Sequence, residues 1–280
     1  VQIIDDLAAS AADLLFVGVT KISGSQPWTP VNTGSATSLV IEDPVNGIDI
    51  PAGEQAVVEI AVQLANTPAN VIGLQFTNSA SYVYGRLDAT PADRRPGGAG
   101  TTPPMTIVGP EQLTLEKRGP VQMDVGTPAT FTLEVHNPSQ ATAFGVVLTD
   151  LLPDTAAGGM CEAAPTQVTA QLFQADGVTP ASPPLVAGSD YTQAFTGAPE
   201  CTLRITLLSP AAAIAPDQRL IVTYQAQLDA DSQRSIALVN IAGATEWSSA
   251  DPSDPTSAGQ ALTYTRTLTD GTPGVLDHED

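Results

Sequence analysis

Few side chains in this 280-residue chain can carry chemistry: only two lysines, Lys21 and Lys117, two histidines, His136 and His278, and two cysteines, Cys161 and Cys201, accompany thirty acidic groups. The histidines lie far apart, and neither they nor the cysteines show the close ligand spacing of a metal site. Serine and threonine are abundant, but no nucleophile-elbow pattern frames them. An enzyme acting on an external substrate is therefore not expected. A sharper grouping comes from side-chain parity, because alternate residues of a strand share a face. Lys117 falls on the face of Leu113 and Leu115, Asp150 on that of Val146 and Leu148, and Asn240 on that of Leu238 and Ala242. All three polar groups would then point inward. In an apolar pocket desolvation drives an amine toward neutrality and a carboxyl toward its protonated form. The plainer alternative is that Lys117 snorkels from an edge strand, Asp150 takes turn hydrogen bonds at the Leu152-Pro153 corner, and Asn240 satisfies backbone groups.

The elements that must position these groups are strands. Hydrophobic residues make up 42%, enough for a core, while 23 glycines and 24 prolines leave almost no stretch free for a helical one. Apolar residues alternate at Leu113 and Leu115, at Phe131, Leu133 and Val135, and at Val146 and Leu148. Further strands are expected at Thr166–Phe173, Thr202–Leu208, Leu220–Leu228, Ala237–Glu246 and Ala261–Leu268. Single helical turns are expected at Pro210–Ile214 and Leu7–Leu15. About eight short strands of this kind indicate an all-β class, an antiparallel β-sandwich with Ig-like topology.

The chain also repeats itself. Val1-Gln2-Ile3-Ile4-Asp5-Asp6-Leu7 parallels Val146-Val147-Leu148-Thr149-Asp150-Leu151-Leu152, and Val57–Leu64 parallels Ile221–Leu228. Phe76-Thr77-Asn78-Ser79-Ala80 parallels Leu238-Val239-Asn240-Ile241-Ala242. Two tandem Ig-like modules are expected, residues 1–108 and 109–280. Nothing before Val1 answers to Glu111–Gly145, so the first copy reads as a module without its opening strands, and the chain as a processed piece or slice of something longer. The Gly/Pro-rich stretch Pro91–Pro104 reads as a linker unable to continue a strand. A net charge of −20 argues against nucleic acid or an anionic membrane surface as a partner. No apolar run reaches the roughly 18–20 residues of a membrane span, so direct membrane insertion is not expected.

Four segments carry a family resemblance. Leu113-Thr114-Leu115-Glu116-Lys117, Phe131-Thr132-Leu133-Glu134-Val135-His136-Asn137, Val147-Leu148-Thr149-Asp150-Leu151-Leu152-Pro153 and Leu238-Val239-Asn240-Ile241-Ala242 follow in order. Their pattern resembles the bacterial "domain of unknown function 11" repeat, which is similar to the isopeptide-forming domains of fimbrial and adhesin stalks. The tail from Tyr264 to Gly271, ending Asp277-His278-Glu279-Asp280, is similar to the end of such a repeat in long, secreted, multi-repeat proteins of Gram-negative bacteria. The resemblance implies a structural spacer or stalk repeat outside the cell or on its surface. Its partners would be neighbouring repeats and a host or surface protein or glycan.

For the inward-facing groups the resemblance implies an autocatalytic isopeptide cross-link, with Lys117 attacking the Asn240 carboxamide and Asp150 moving the protons. Fimbrial domains of this kind often place the lysine a few residues before the Asp, where this chain has Phe144 and Gly145. The first copy retains Asp5 and Asn78, while Lys21 is no positional match. Export further implies a Cys161–Cys201 disulfide, two buried free thiols being the alternative. No cofactor is implied, although Ca²⁺ at an inter-repeat junction would find carboxylates in Asp251-Pro252-Ser253-Asp254 and Asp277–Asp280. Two other readings remain, a glycan- or protein-binding adhesion module and a strand-exchange module. The aromatics Trp28, Trp247, Tyr82, Tyr84 and Tyr224 suggest no stacking platform.

Overall fold

A computed structural model describes residues 1–85, 93–256, 258–268 and 278–279. The chain divides into two compact units, Val1–Val108 and Gly109–Asp280. The all-β expectation holds: every described element is a strand or a single 3₁₀ turn, and the sheets are antiparallel.

The first unit contains β1 (Gln2–Asp6), β2 (Leu14–Ser23), β3 (Val31–Asn32), β4 (Ser38–Glu42), β5 (Val57–Leu64), β6 (Gln75–Phe76), β7 (Ser79–Tyr84), β8 (Arg95–Thr101) and β9 (Met105–Thr106). One sheet runs β3-β4-β1-β7-β8, and a second consists of β2 and β5. Their facing side chains meet in a small core built on Leu7, Leu14, Leu39, Ile41 and Ile107. Two local expectations fail here. The turn after β1 covers only Leu7–Ala9, and Leu14 already opens β2, because Leu14, Phe16 and Val19 supply the face that packs on the core. The supposed linker forms β8, hydrogen-bonded to β7 at the sheet's edge. An edge strand tolerates Pro96, which has no N–H to donate. Gly97 is required by packing, because a Cβ there would run into the Tyr82 ring. The part of the stretch before Asp93 lies outside the described residues.

The second unit contains β10 (Thr114–Arg118), β11 (Ala129–His136), β12 (Phe144–Leu151), β13 (Asp154–Thr155), β14 (Gly158–Gly159), β15 (Thr166–Phe173), β16 (Tyr191–Thr196), β17 (Thr202–Leu207), β18 (Arg219–Ala226), β19 (Ile241–Ser248), β20 (Thr263–Thr265) and β21 (His278–Glu279). The sheet β10-β11-β18-β15 faces the sheet β16-β17-β12-β19-β20. Inward residues of both, such as Leu133 and Val222 from one and Leu148, Ile205 and Ala244 from the other, form one continuous apolar core. The strand expected at Ala237–Glu246 starts later, at Ile241, so Asn240 precedes it, and the last expected strand shrinks to Thr263–Thr265. β16 was not anticipated. Its exposed sequence Thr192-Gln193-Ala194 suits an edge, which needs only one apolar face.

Cys161 and Cys201 are joined as a disulfide. Asp229, buried, holds the first of them by accepting the backbone N–H groups of Cys161 and Glu162 at 3.0 and 2.8 Å. The bridge closes a loop of 40 residues. By chain entropy it should contribute roughly 3–4 kcal/mol. Urea denaturation of the Cys161→Ala/Cys201→Ala double variant checks this, and a loss below about 1 kcal/mol would show that the loop is ordered without the bond.

Candidate functional site

Strand parity brings Lys117 and Asp150, and the approach to β19 brings Asn240, to one place between the two sheets of the second unit. β10 points Leu115 and Lys117 inward, and the Lys117 side chain is only 3% exposed. β12 does the same with Val146, Leu148 and Asp150, the last 1% exposed. Asn240, just ahead of β19, is also buried. Lys117 Nζ donates to Asp150 Oδ1 at 2.6 Å. The snorkelling alternative for Lys117 therefore fails, as does the turn-capping one for Asp150, because both groups are spent on each other inside the core.

The fourth member is Tyr224, which the sequence reading treated only as an aromatic. Its hydroxyl donates to Asp150 Oδ2 at 2.6 Å and accepts from Asn240 Nδ2 at 3.3 Å. Lys117, Asp150, Tyr224 and Asn240 thus form one unbroken polar chain. Phe131 stacks on Tyr224 with ring centroids 5.3 Å apart and lies 5.9 Å from Lys117 Nζ, screening the chain with hydrocarbon. The signal for Tyr224 was available, since it shares the inward face of β18 with Leu220 and Val222. Asn240 Oδ1 is buried and accepts no hydrogen bond among the described residues.

Burial sets the protonation of this chain. Desolvation lowers the Lys117 amine to about 8, against the pull of Asp150, and raises the Asp150 carboxyl, against the pull of Lys117. Desolvation, with Asp150 next, also holds the Tyr224 hydroxyl in its neutral form. One proton passing along the 2.6 Å contact yields a neutral amine beside a carboxylic acid. Such a pair can attack a carboxamide and protonate what leaves.

The first unit reproduces half of this arrangement. Asp5 on β1 lies opposite Ala80 of β7, with Asn78 two residues before it; Asp150 on β12 lies opposite Ala242 of β19, with Asn240 two residues before it. Asn78 Nδ2 donates to Asp5 Oδ2 at 2.9 Å. Asp5 Oδ1 and Asn78 Oδ1 are both buried without a hydrogen bond among the described residues. The position of Tyr224 is taken by Ile60, which has no hydroxyl. Lys21 is engaged elsewhere, donating to the Gln26 carbonyl at 2.6 Å with Nζ 4.4 Å from the Trp28 ring centroid.

The remaining candidates do not assemble. His136 lies 3.8 Å from Asp217, and the side chain of His278 is outside the described residues. Asp251 and Asp254 accept from Ser253 and Thr256 in their own turns, and the acidic tail is described only as the backbone of β21. Among the described residues the one His/Cys/Asp/Glu grouping close enough for a metal is Asp154 with Cys161 and Cys201. Its sulfurs are bonded to each other, so it offers no thiolate ligand. Trp28, Trp247 and Tyr224 are buried, whereas Tyr82 and Tyr84 of β7 stay partly exposed with ring centroids 6.4 Å apart. No described helix is long and apolar enough to cross a membrane.

No protein-family model and no curated protein matches the chain. Among solved structures it is similar to a collagen-binding domain from a Staphylococcus aureus adhesin, with 9% identity over 54% of this chain and 95% of that one and a TM-score of 0.31. It is also similar to the C-terminal domain of the Streptococcus agalactiae AgI/II polypeptide BspA, with 10% identity over 86% of this chain and 78% of that one and a TM-score of 0.33. The C-terminal domain of the Streptococcus pyogenes antigen I/II-family protein AspA gives 10%, 86%, 79% and 0.33 for the same measures. Likeness this distant leaves the functional argument to the geometry.

The buried carboxyls make a pH prediction. Burial, the largest cause, raises Asp5 above its ordinary value, with its bond from Asn78 opposing. A raised carboxyl contributes stability that is fully present below its unfolded value of 3.8 and is lost as pH rises through its folded value. Asp5→Asn should therefore leave the first unit about as stable as the parent near pH 4 and more stable at pH 7. Amide exchange of Leu39–Ile41 in the neighbouring strand β4 measures this; equal protection at both pH values would contradict it.

Proposed function

We propose that the chain is a structural segment of a bacterial surface or secreted protein, whose second unit locks itself with an isopeptide bond between Lys117 and Asn240. The observation that supports this most strongly is the buried chain of Lys117, Asp150, Tyr224 and Asn240, held by β10, β12, β18 and the residue just ahead of β19. A lysine kept away from water serves no solvation role, and an ion pair in an apolar core costs more than it returns unless its geometry does something else. Here the something else is chemistry. Asp150 accepts the ammonium proton, the Lys117 lone pair attacks Asn240 Cγ, and the Nζ–Cγ bond replaces Cγ–Nδ2. The leaving nitrogen takes its protons through Asp150 and departs as ammonia. Tyr224, neutral throughout, holds Asp150 and Asn240 in register.

The bond would tie an early strand to a late one across both sheets. This is what a stalk under tension or proteolysis requires, because the covalent path then bypasses most of the fold. The resemblance to isopeptide-forming repeats and a net charge of −20 agree with a repeat kept soluble outside the cell.

Single-molecule pulling tests the role directly. With the bond in place the segment from Lys117 to Asn240 cannot extend, so the full contour length should fall short by about 400 Å, at roughly 3.3–3.6 Å per residue. Pulled under reducing conditions, so that the loop closed by Cys161 and Cys201 is also free, Asn240→Ala should restore the missing length. A parent chain that extends fully would contradict the proposal.

A further inference from the structure

We propose that the first unit is a docking site for a β-hairpin that brings a lysine to Asp5 and Asn78. Three independent features converge on it. The first is an open strand edge: β5 pairs with β2 on one side and with no other strand among the described residues, whereas its counterpart β18 is flanked by β15 and β11. The second is an apolar groove of about 600 Å³, lined in part by Val1, Ile3, Ala56, Val58, Ala80 and Tyr82. Val58 is only half-buried there, although its counterpart Val222 is fully enclosed under the strands of the second unit. The third is polar. Asp5 is 3% exposed, yet its Oδ1 has no donor among the described residues, and neither has Asn78 Oδ1. The groove comes up beside this pair, since Ile3 lies two residues from Asp5 on β1 and Ala80 lies opposite Asp5.

The occupant's chemistry can be read from the second unit. There β11 hydrogen-bonds along β18, and β10, outside it, presents Leu113, Leu115 and Lys117 to the core. Lys117 supplies the donor that Asp150 Oδ1 needs. A hairpin of this kind fits all three features at once: one strand continues the β2-β5 sheet, alternate apolar residues fill the groove, and an ammonium reaches the unpaired oxygens. Lys21, being held by Gln26 and Trp28, does not take that place. The occupant is a lysine-bearing hairpin of this pattern; the one at Glu111–Asn137 is already built into its own unit.

The inference is independent of whether Lys117 and Asn240 condense, because it concerns recognition at Asp5. The probe is a synthetic hairpin with the sequence Glu111–Asn137, alongside the same peptide carrying Lys117→Met, each titrated into the full 280-residue chain. The lysine hairpin should bind roughly 30-fold or more tightly than the methionine one, the scale expected when one partner of a buried charge pair is removed. Amide exchange should show new protection along Val57–Leu64, not along β18. Asp5→Ala should erase the preference for lysine, and Asp6→Ala, at the exposed neighbour on β1, should preserve it. Capture that turned covalent would show the same dependence on lysine and Asp5 and would support the site equally. Equal affinity of the two peptides, no binding by either, or protection confined to β18 would overturn the proposal.

Discussion

Burying a positive amine and a carboxyl between two apolar sheets is the constraint on which the second unit depends. Taken out of water, Lys117 and Asp150 each lose several kcal/mol of hydration that one 2.6 Å contact repays only in part. The neighbours reduce the imbalance in a specific way. Tyr224 donates to the second Asp150 oxygen, Asn240 donates to Tyr224, and Phe131 stacks over Tyr224. Tyr224 and Phe131 come from β18 and β11, and Asn240 from the residue just ahead of β19, so the polar chain can exist only when both sheets are correctly paired and correctly faced. The same burial that makes the ion pair costly also makes the amine nucleophilic, and condensation would remove the cost by consuming the charge.

Comparing the two units separates what the polar chain needs from what the sandwich needs. Both place an Asp opposite an Ala, with an Asn two residues before that Ala. Only the second surrounds the Asp with a lysine and a tyrosine. Its core is also the more complete: β18 buries every second residue, whereas β5, paired only with β2 among the described residues, keeps Val58 and Ile60 half-exposed. A hairpin therefore does two jobs in this architecture. It closes the sheet, and it neutralises the buried carboxyl.

Much of this was legible because strand parity is a strong rule wherever one face is buried. Lys117, Asp150 and Asn240 fall on inward faces by counting in twos from their apolar neighbours, and the internal repeat marked Asp5 and Asn78 as their shadows. Tyr224 was open to the same count but passed as a core aromatic, since nothing in the sequence says what its hydroxyl meets 74 positions away. The β8 strand was not legible, because Arg95–Gly100 holds a proline and three glycines and no β-branched or aromatic residue. It is imposed by pairing with β7 and by Tyr82 packing onto Gly97. Asp229 was equally hidden, because it meets the backbone of Cys161 and Glu162 from 68 and 67 positions away.

The central claim is covalent, and intact mass under reducing conditions, followed by peptide mapping, tests it most directly. The account predicts a folded chain lighter than its sequence by about 17 Da, one ammonia by condensation chemistry, with Lys117 and Asn240 in a single branched peptide. A chain at its full sequence mass, with those two residues in separate peptides, would contradict it.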